Sequence, residues 1–159
     1  MLELLSCSPH QTEKIGEQLG VLLGEGDVVS LNGSLGSGKT VFVHGIARGL
    51  GVKDPVSSPS FIIVQEYKGR LPVFHADFYR IKSLHELEEI GWCDYFERRG
   101  VMLIEWGDLF SEALPLHYLR IEIERSEPIE TNRVIRFEPY GSRYEAIVEE
   151  LAGKCGFLA

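Results

Sequence analysis

The chain has 159 residues, 44% hydrophobic and 25% charged, a balance that excludes disorder, collagen and coiled-coil rods and favours one compact domain spanning residues 1–159. Its net charge of −8, from 16 basic and 24 acidic side chains, disfavours a freestanding nucleic-acid binder, whose affinity rests on phosphate contacts. Cys7, Cys93 and Cys155 are widely separated and form neither a disulfide framework nor a zinc site, and no stretch approaches the roughly 18 uninterrupted apolar residues of a membrane span. A soluble, cytoplasmic protein with no membrane contact is expected.

In chain order, Ile15, Leu19, Leu22 and Leu23 recur at helical spacing and predict a helix over Thr12–Leu23. Asp27–Asn32 reads as a short apolar strand and Gly33–Gly38 as a glycine-rich turn. From Lys39 the helical pattern returns, with Val43, Ile46, Ala47 and Leu50 on one face and Gly49 and Gly51 suited to stop it. Pro55–Pro59 is a loop. Phe61–Tyr67 and Leu71–Ala76 have strand composition, the second leading into Asp77. Leu84–Ile90 is helical, and Arg98–Arg99 fits a solvated pair at a helix end better than a binding strip. Val101–Ile104 is a buried-strand run ending in Glu105. Tyr118–Glu124 alternates apolar and charged residues, and Val134–Phe137 follows, which predicts antiparallel edge strands with one wet face. Arg143–Leu151 closes the pattern as an amphipathic helix.

Gly33-Ser34-Leu35-Gly36-Ser37-Gly38-Lys39-Thr40 matches G-x-x-x-x-G-K-[ST] without a mismatch. Glycines let the backbone curl so that successive N–H groups face phosphate oxygens. The helix starting near Lys39 offers its positive end to the same anion. Lys39 is placed for the β- and γ-phosphates and Thr40 for Mg²⁺. A strand before the loop and a helix after it are the context this motif requires. An Asn-Lys-x-Asp element for guanine is absent, which favours ATP.

A carboxylate at the end of an apolar strand, here Glu105, can hold Mg²⁺ through water or orient an attacking water. On a strand His75 and Asp77 share a face, and Asp77 at the strand end can reach the metal or its waters. Arg80 can contact phosphate or pair with an acidic neighbour. The loop Ser57-Ser58-Pro59-Ser60-Phe61 carries hydroxyls suited to meeting a γ-phosphate. The five histidines and three cysteines lack zinc-ligand spacing.

Together, Leu31-Asn32-Gly33, Leu35-Gly36, Gly38-Lys39-Thr40, Ser58-Pro59-Ser60-Phe61, His75, Asp77, Tyr79-Arg80 and Glu105-Trp106-Gly107 resemble, in order, the TsaE family, also called YjeE. These are bacterial ATPases of threonylcarbamoyladenosine biosynthesis in tRNA. The resemblance implies an α/β P-loop NTPase fold, a three-layer sandwich around a mixed, mainly parallel sheet with antiparallel C-terminal strands. It implies Lys39, Thr40, Asp77 and Glu105 in a Mg-ATP site, Ser58–Phe61 as a switch-like loop near the γ-phosphate, and Trp106 near the nucleotide. The partners it implies are TsaB and TsaD, with tRNA engaged only indirectly and ATP hydrolysis supporting turnover. Two positions depart from the family pattern: Ser34 stands where Asp is common, and Ser60 where Thr is common.

Two other readings of the residues remain. A non-catalytic adaptor would use its ATP state to control docking. A small-molecule kinase would need an acceptor pocket and a basic lid, for which Arg98–Arg99 is a thin basis.

Overall fold

Residues 1–56 and 63–155 are described by a computed structural model. They build one seven-stranded sheet in the order β1-β7-β6-β2-β5-β4-β3. The elements are β1 (Leu2–Ser6), α1 (Pro9–Leu22), β2 (Val28–Asn32), α2 (Lys39–Gly49), β3 (Val64–Lys68), β4 (Pro72–Asp77), α3 (Leu84–Glu89), α4 (Trp92–Glu97), β5 (Val101–Glu105), a 3-10 segment (Gly107–Ala113), β6 (Tyr118–Arg125), β7 (Arg133–Tyr140) and α5 (Ser142–Cys155).

The central strands β6, β2, β5 and β4 run parallel, while β3 pairs antiparallel with β4, and β7 antiparallel with both β6 and β1. Every residue of β2 and β5 is buried, the continuous run expected of parallel strands covered on both faces. Helices α1, α2 and α5 cover one face through Ile15, Leu19, Phe42, Ile46, Ile147 and Leu151. On the other face Leu87 of α3 and Trp92 of α4 pack on Phe74, Ala76, Met102 and Ile104. The mixed three-layer α/β architecture is therefore present.

The alternation of β6 identifies its faces correctly, with Leu119, Ile121 and Ile123 fully buried. It does not identify its neighbours: β6 and β7 are interior strands, not edges. The edge beside β7 is β1, a strand that the residue pattern does not announce, paired Leu2 to Phe137 through Ser6 to Arg133. The pattern is equally silent on α4 and the 3-10 segment. Arg98 and Arg99 form ion pairs with Glu66 and Glu25, which fits the solvated pair.

Gly49 does not stop α2. It is the helix's last residue but has no left-handed φ, and a Cβ there would sit 2.2 Å from the Glu17 carbonyl oxygen of α1. Gly16, Gly20 and Gly45 are in the same position, with Cβ atoms 2.5, 2.2 and 2.1 Å from backbone oxygens of the facing helix. Two glycines at four-residue spacing on each helix thus let the two backbones touch. The stop is Gly51, whose φ of +80° is open to glycine at little cost.

Candidate functional site

Because β2, β4 and β5 are parallel and adjacent, their C-terminal ends share one edge of the sheet. The loop Gly33–Gly38 leaves β2 there, Asp77 ends β4, and Glu105 ends β5 directly opposite Asp77. Residues far apart in sequence therefore line one cavity of about 490 Å³, within the range of small-molecule sites. Leu35, Gly36, Gly38, Lys39, Thr40, Asp77, Glu105 and Trp106 all contribute to its wall, and so do Tyr79 and Arg80.

The loop has the backbone its glycines promise. Gly33, Gly36 and Gly38 have φ values of +139°, +74° and +107°. At Gly33 a Cβ would also lie 2.1 Å from the Ile123 carbonyl oxygen, so this position needs glycine twice over. Inside the curl, Lys39 Nζ donates to the carbonyls of Gly33 and Ser34, both at 2.8 Å, and to Ser37 Oγ at 3.4 Å. Burial holds this ammonium below the usual lysine range, against the opposing pull of Glu105 and Asp77. The Asp77 carboxyl is pushed up, first by burial and also by the Glu105 charge, while the Tyr79 N–H donating to its Oδ1 at 2.9 Å works the other way.

Three further groups complete the wall or its support: His75 and Asn32 stand in the sequence motifs, whereas nothing in the sequence singles out Arg133. Arg133, at the start of β7, lines the cavity and donates from Nε to the Ser37 carbonyl at 2.6 Å, bracing the loop from outside while Lys39 holds it from within. The His75 ring is fully buried and its Nε2 lies 2.6 Å from Glu105 Oε2. Asn32 donates through Nδ2 to Ser30 Oγ at 3.1 Å and accepts from the Asp108 N–H at 2.9 Å, tying the end of β2 to the segment after Glu105.

That segment explains the placement of Trp106. Its N–H donates to the Leu31 carbonyl at 2.7 Å, and the next residue, Gly107, packs so closely on Ser30 that a Cβ would lie 2.1 Å from its Oγ. The chain makes this turn with Trp106 at φ +60°, a conformation that costs a non-glycine residue about 1–2 kcal/mol. The indole is thereby set against Tyr79, with ring centroids 4.9 Å apart, and under the Lys39 ammonium, 4.3 Å from the ring centre. The Ser57–Phe61 loop, with Ser60, lies outside the described residues.

A family model described as "Threonylcarbamoyl adenosine biosynthesis protein TsaE" matches residues 6–135. The chain is 41% identical over 152 residues to the tRNA threonylcarbamoyladenosine biosynthesis protein TsaE of Bacillus subtilis, covering 95% of this chain and 94% of that protein. The protein of the same name from Treponema pallidum is 39% identical over 122 residues, covering 77% and 90%. The crystal structure of Bacillus subtilis YdiB superposes with a TM-score of 0.81 at 38% identity, over 96% of this chain and 95% of that one. Sequence likeness along nearly the whole chain and a shared arrangement of its elements lead to one conclusion: the chain belongs to the TsaE family.

Proposed function

We propose that this protein is a Mg-dependent ATPase that supports formation of threonylcarbamoyladenosine in tRNA, working in the cytoplasm as one P-loop domain with TsaB and TsaD. The observation that carries the ATPase reading is the single cavity joining a glycine cradle, a buried ammonium and two strand-end carboxylates. The residues present fit the nucleotide and its metal. The cradle's glycines have positive φ values, the backbone freedom that a phosphate-binding curl needs. Among the described residues no group of three or more His, Cys, Asp or Glu converges to hold an ion. Thr40, Asp77 and Glu105 suit instead a metal that arrives with phosphate oxygens and keeps several waters.

Lys39 would exchange the Gly33 and Ser34 carbonyls for β- and γ-phosphate oxygens. Thr40 and Asp77 would hold Mg²⁺ or its waters, and Glu105 would do so while orienting the attacking water. Ser60 would present its hydroxyl near the γ-phosphate. Bound Mg²⁺ supplies neutralisation of charge on the phosphoryl oxygens. The reaction is ATP + water → ADP + phosphate. The acidic balance of the chain supports indirect rather than direct engagement of tRNA. Among the described residues no helix is long and apolar enough to cross a membrane.

The test is steady-state ATP hydrolysis by the protein alone and with the TsaB and TsaD of the same organism. Slow turnover alone and strong stimulation by the partners are expected. Verified binding and complex formation without hydrolysis in either condition would leave an adaptor instead. In the stimulated complex, Glu105→Gln should slow hydrolysis by about 100-fold or more, the low end of a positioned general base's contribution, with a smaller loss of Mg-nucleotide affinity and none without Mg²⁺. Normal hydrolysis by that variant removes Glu105 from the reaction.

Binding itself has an intrinsic reporter. The chain has two tryptophans, and Trp92 is buried in the cluster on whose margin Trp106 packs. In Trp92→Phe, the emission of Trp106 should change when Mg-ATP draws the Lys39 ammonium off its ring. A titration without any change would place the nucleotide elsewhere.

A further inference from the structure

His75 lies two residues before Asp77 on β4, on the same face of the sheet, and pairs in register with Leu103 rather than Glu105. Its contact with Glu105 is therefore diagonal: the carboxylate leans back along the strand to meet the ring. Both side chains are out of solvent, the histidine fully and the glutamate to within 4%.

The two ring nitrogens are not equivalent. Nε2 meets Glu105 Oε2 at 2.6 Å, while Nδ1 is a buried polar atom with no hydrogen-bond partner among the described residues. A carboxylate oxygen accepts, so the proton of this bond sits on Nε2. The bond occupies Oε2 and leaves Oε1 as the oxygen available to the cavity that Glu105 lines. Without a donor at that point, a buried carboxylate has a competing attraction close by: the Lys39 ammonium, which interacts with Glu105 across the same cavity. Turning toward Lys39 would take the carboxylate away from the metal side and occupy the ammonium that the phosphates need.

We infer that His75 is the positioning residue for Glu105, its Nε2–H clamping one carboxylate oxygen so that the other faces the metal and the attacking water. This inference rests on the Mg-ATP reading of the site. His75 touches neither nucleotide nor metal. It acts through Glu105, holding a buried charge in one orientation on a rigid strand, where misplacement by about 1 Å can cost on the order of 100-fold in rate.

The experiment compares His75→Gln, His75→Asn and His75→Leu. A glutamine amide N–H reaches the place of Nε2, an asparagine amide reaches only that of Nδ1, and leucine offers no donor. The first readout is the affinity for fluorescent mant-ADP with and without Mg²⁺. All folded variants should match the parent without Mg²⁺. His75→Gln should keep the gain in affinity that Mg²⁺ confers, and the other two should lose most of it. The second readout is hydrolysis in the partner complex: kcat should fall about tenfold or more in the Asn and Leu variants and recover in Gln, with KM for Mg-ATP rising only where the Mg²⁺ gain is lost. Should His75→Leu fail to fold, the Gln and Asn variants carry the comparison. A His75→Leu or His75→Asn protein with the parent's Mg²⁺ gain and kcat overturns the inference, as does a folded His75→Gln variant as impaired as Asn. A parent protein that binds no mant-ADP, or binds it without regard to Mg²⁺, overturns the Mg-ATP reading itself.

Discussion

Lys39→Ala should bind Mg-ATP about 100-fold more weakly than the parent, the ~3 kcal/mol at the upper end of what a hydrogen bond to a charged group contributes. The fold should survive. In the present arrangement the ammonium is satisfied by the loop's own carbonyls, and burial already disfavours its charged form. Removing it relieves that desolvation and leaves carbonyls near solvent at Ser34, which is exposed. A thermal melt close to the parent's, together with an isothermal titration showing the loss of affinity, is the expected pair of results. An unchanged dissociation constant would take Lys39 out of the site, and a collapsed melt would make its role structural.

Alanine at two different helical glycines should shift stability in opposite directions. Gly45→Ala puts a Cβ 2.1 Å from the Glu13 carbonyl oxygen and 2.9 Å from its carbon, both backbone atoms of α1. Backbone cannot step aside as a side-chain tip can, so α1 and α2 must separate. Overpacking of this kind costs about 1–3 kcal/mol or more, against about 1 kcal/mol gained from alanine's better helix propensity. A net loss of about 2 kcal/mol should lower the melting midpoint by about 4–8 °C. Gly153 lies within α5, and a Cβ added there would meet nothing within 4 Å among the described residues. There the propensity gain is unopposed, and Gly153→Ala should raise the midpoint by about 2–4 °C. If both substitutions stabilise, the close contact between α1 and α2 is absent in solution.

Local chemistry is legible in the sequence where a residue's role depends on its immediate neighbours. The glycine cradle, the helix after it and the carboxylates at two strand ends all follow from short patterns, and the parallel sheet then brings them together. What is not legible depends on partners distant in the chain. The alternation in β6 states which side chains are buried but not which strand lies alongside, so interior strands read as edges. Leu2–Ser6 is only five residues long and shows its strand character through pairing with Arg133–Phe137. Trp92–Glu97 is too short for a helical period to emerge. The four glycines between α1 and α2 are visible as residues, but counting apolar positions passes over a contact made by the absence of side chains. At the site, His75 can be placed on the face of Asp77 from spacing alone, whereas its bond to Glu105 and the brace from Arg133 to Ser37 need the sheet's register.

The strand order also has a consequence for synthesis on the ribosome. β2 is made early and is buried on both sides, yet its neighbours are β5 and β6, which begin at Val101 and Tyr118. Until those segments emerge, a five-residue apolar strand with both edges open has only α1 and α2 to cover it. β1 waits longer still, because its partner in the sheet, β7, starts at Arg133. Nascent chains stopped before about Val101 should therefore expose the sticky centre of the sheet, the kind of species that chaperones engage. Long-range parallel pairing of this sort also makes for slow folding.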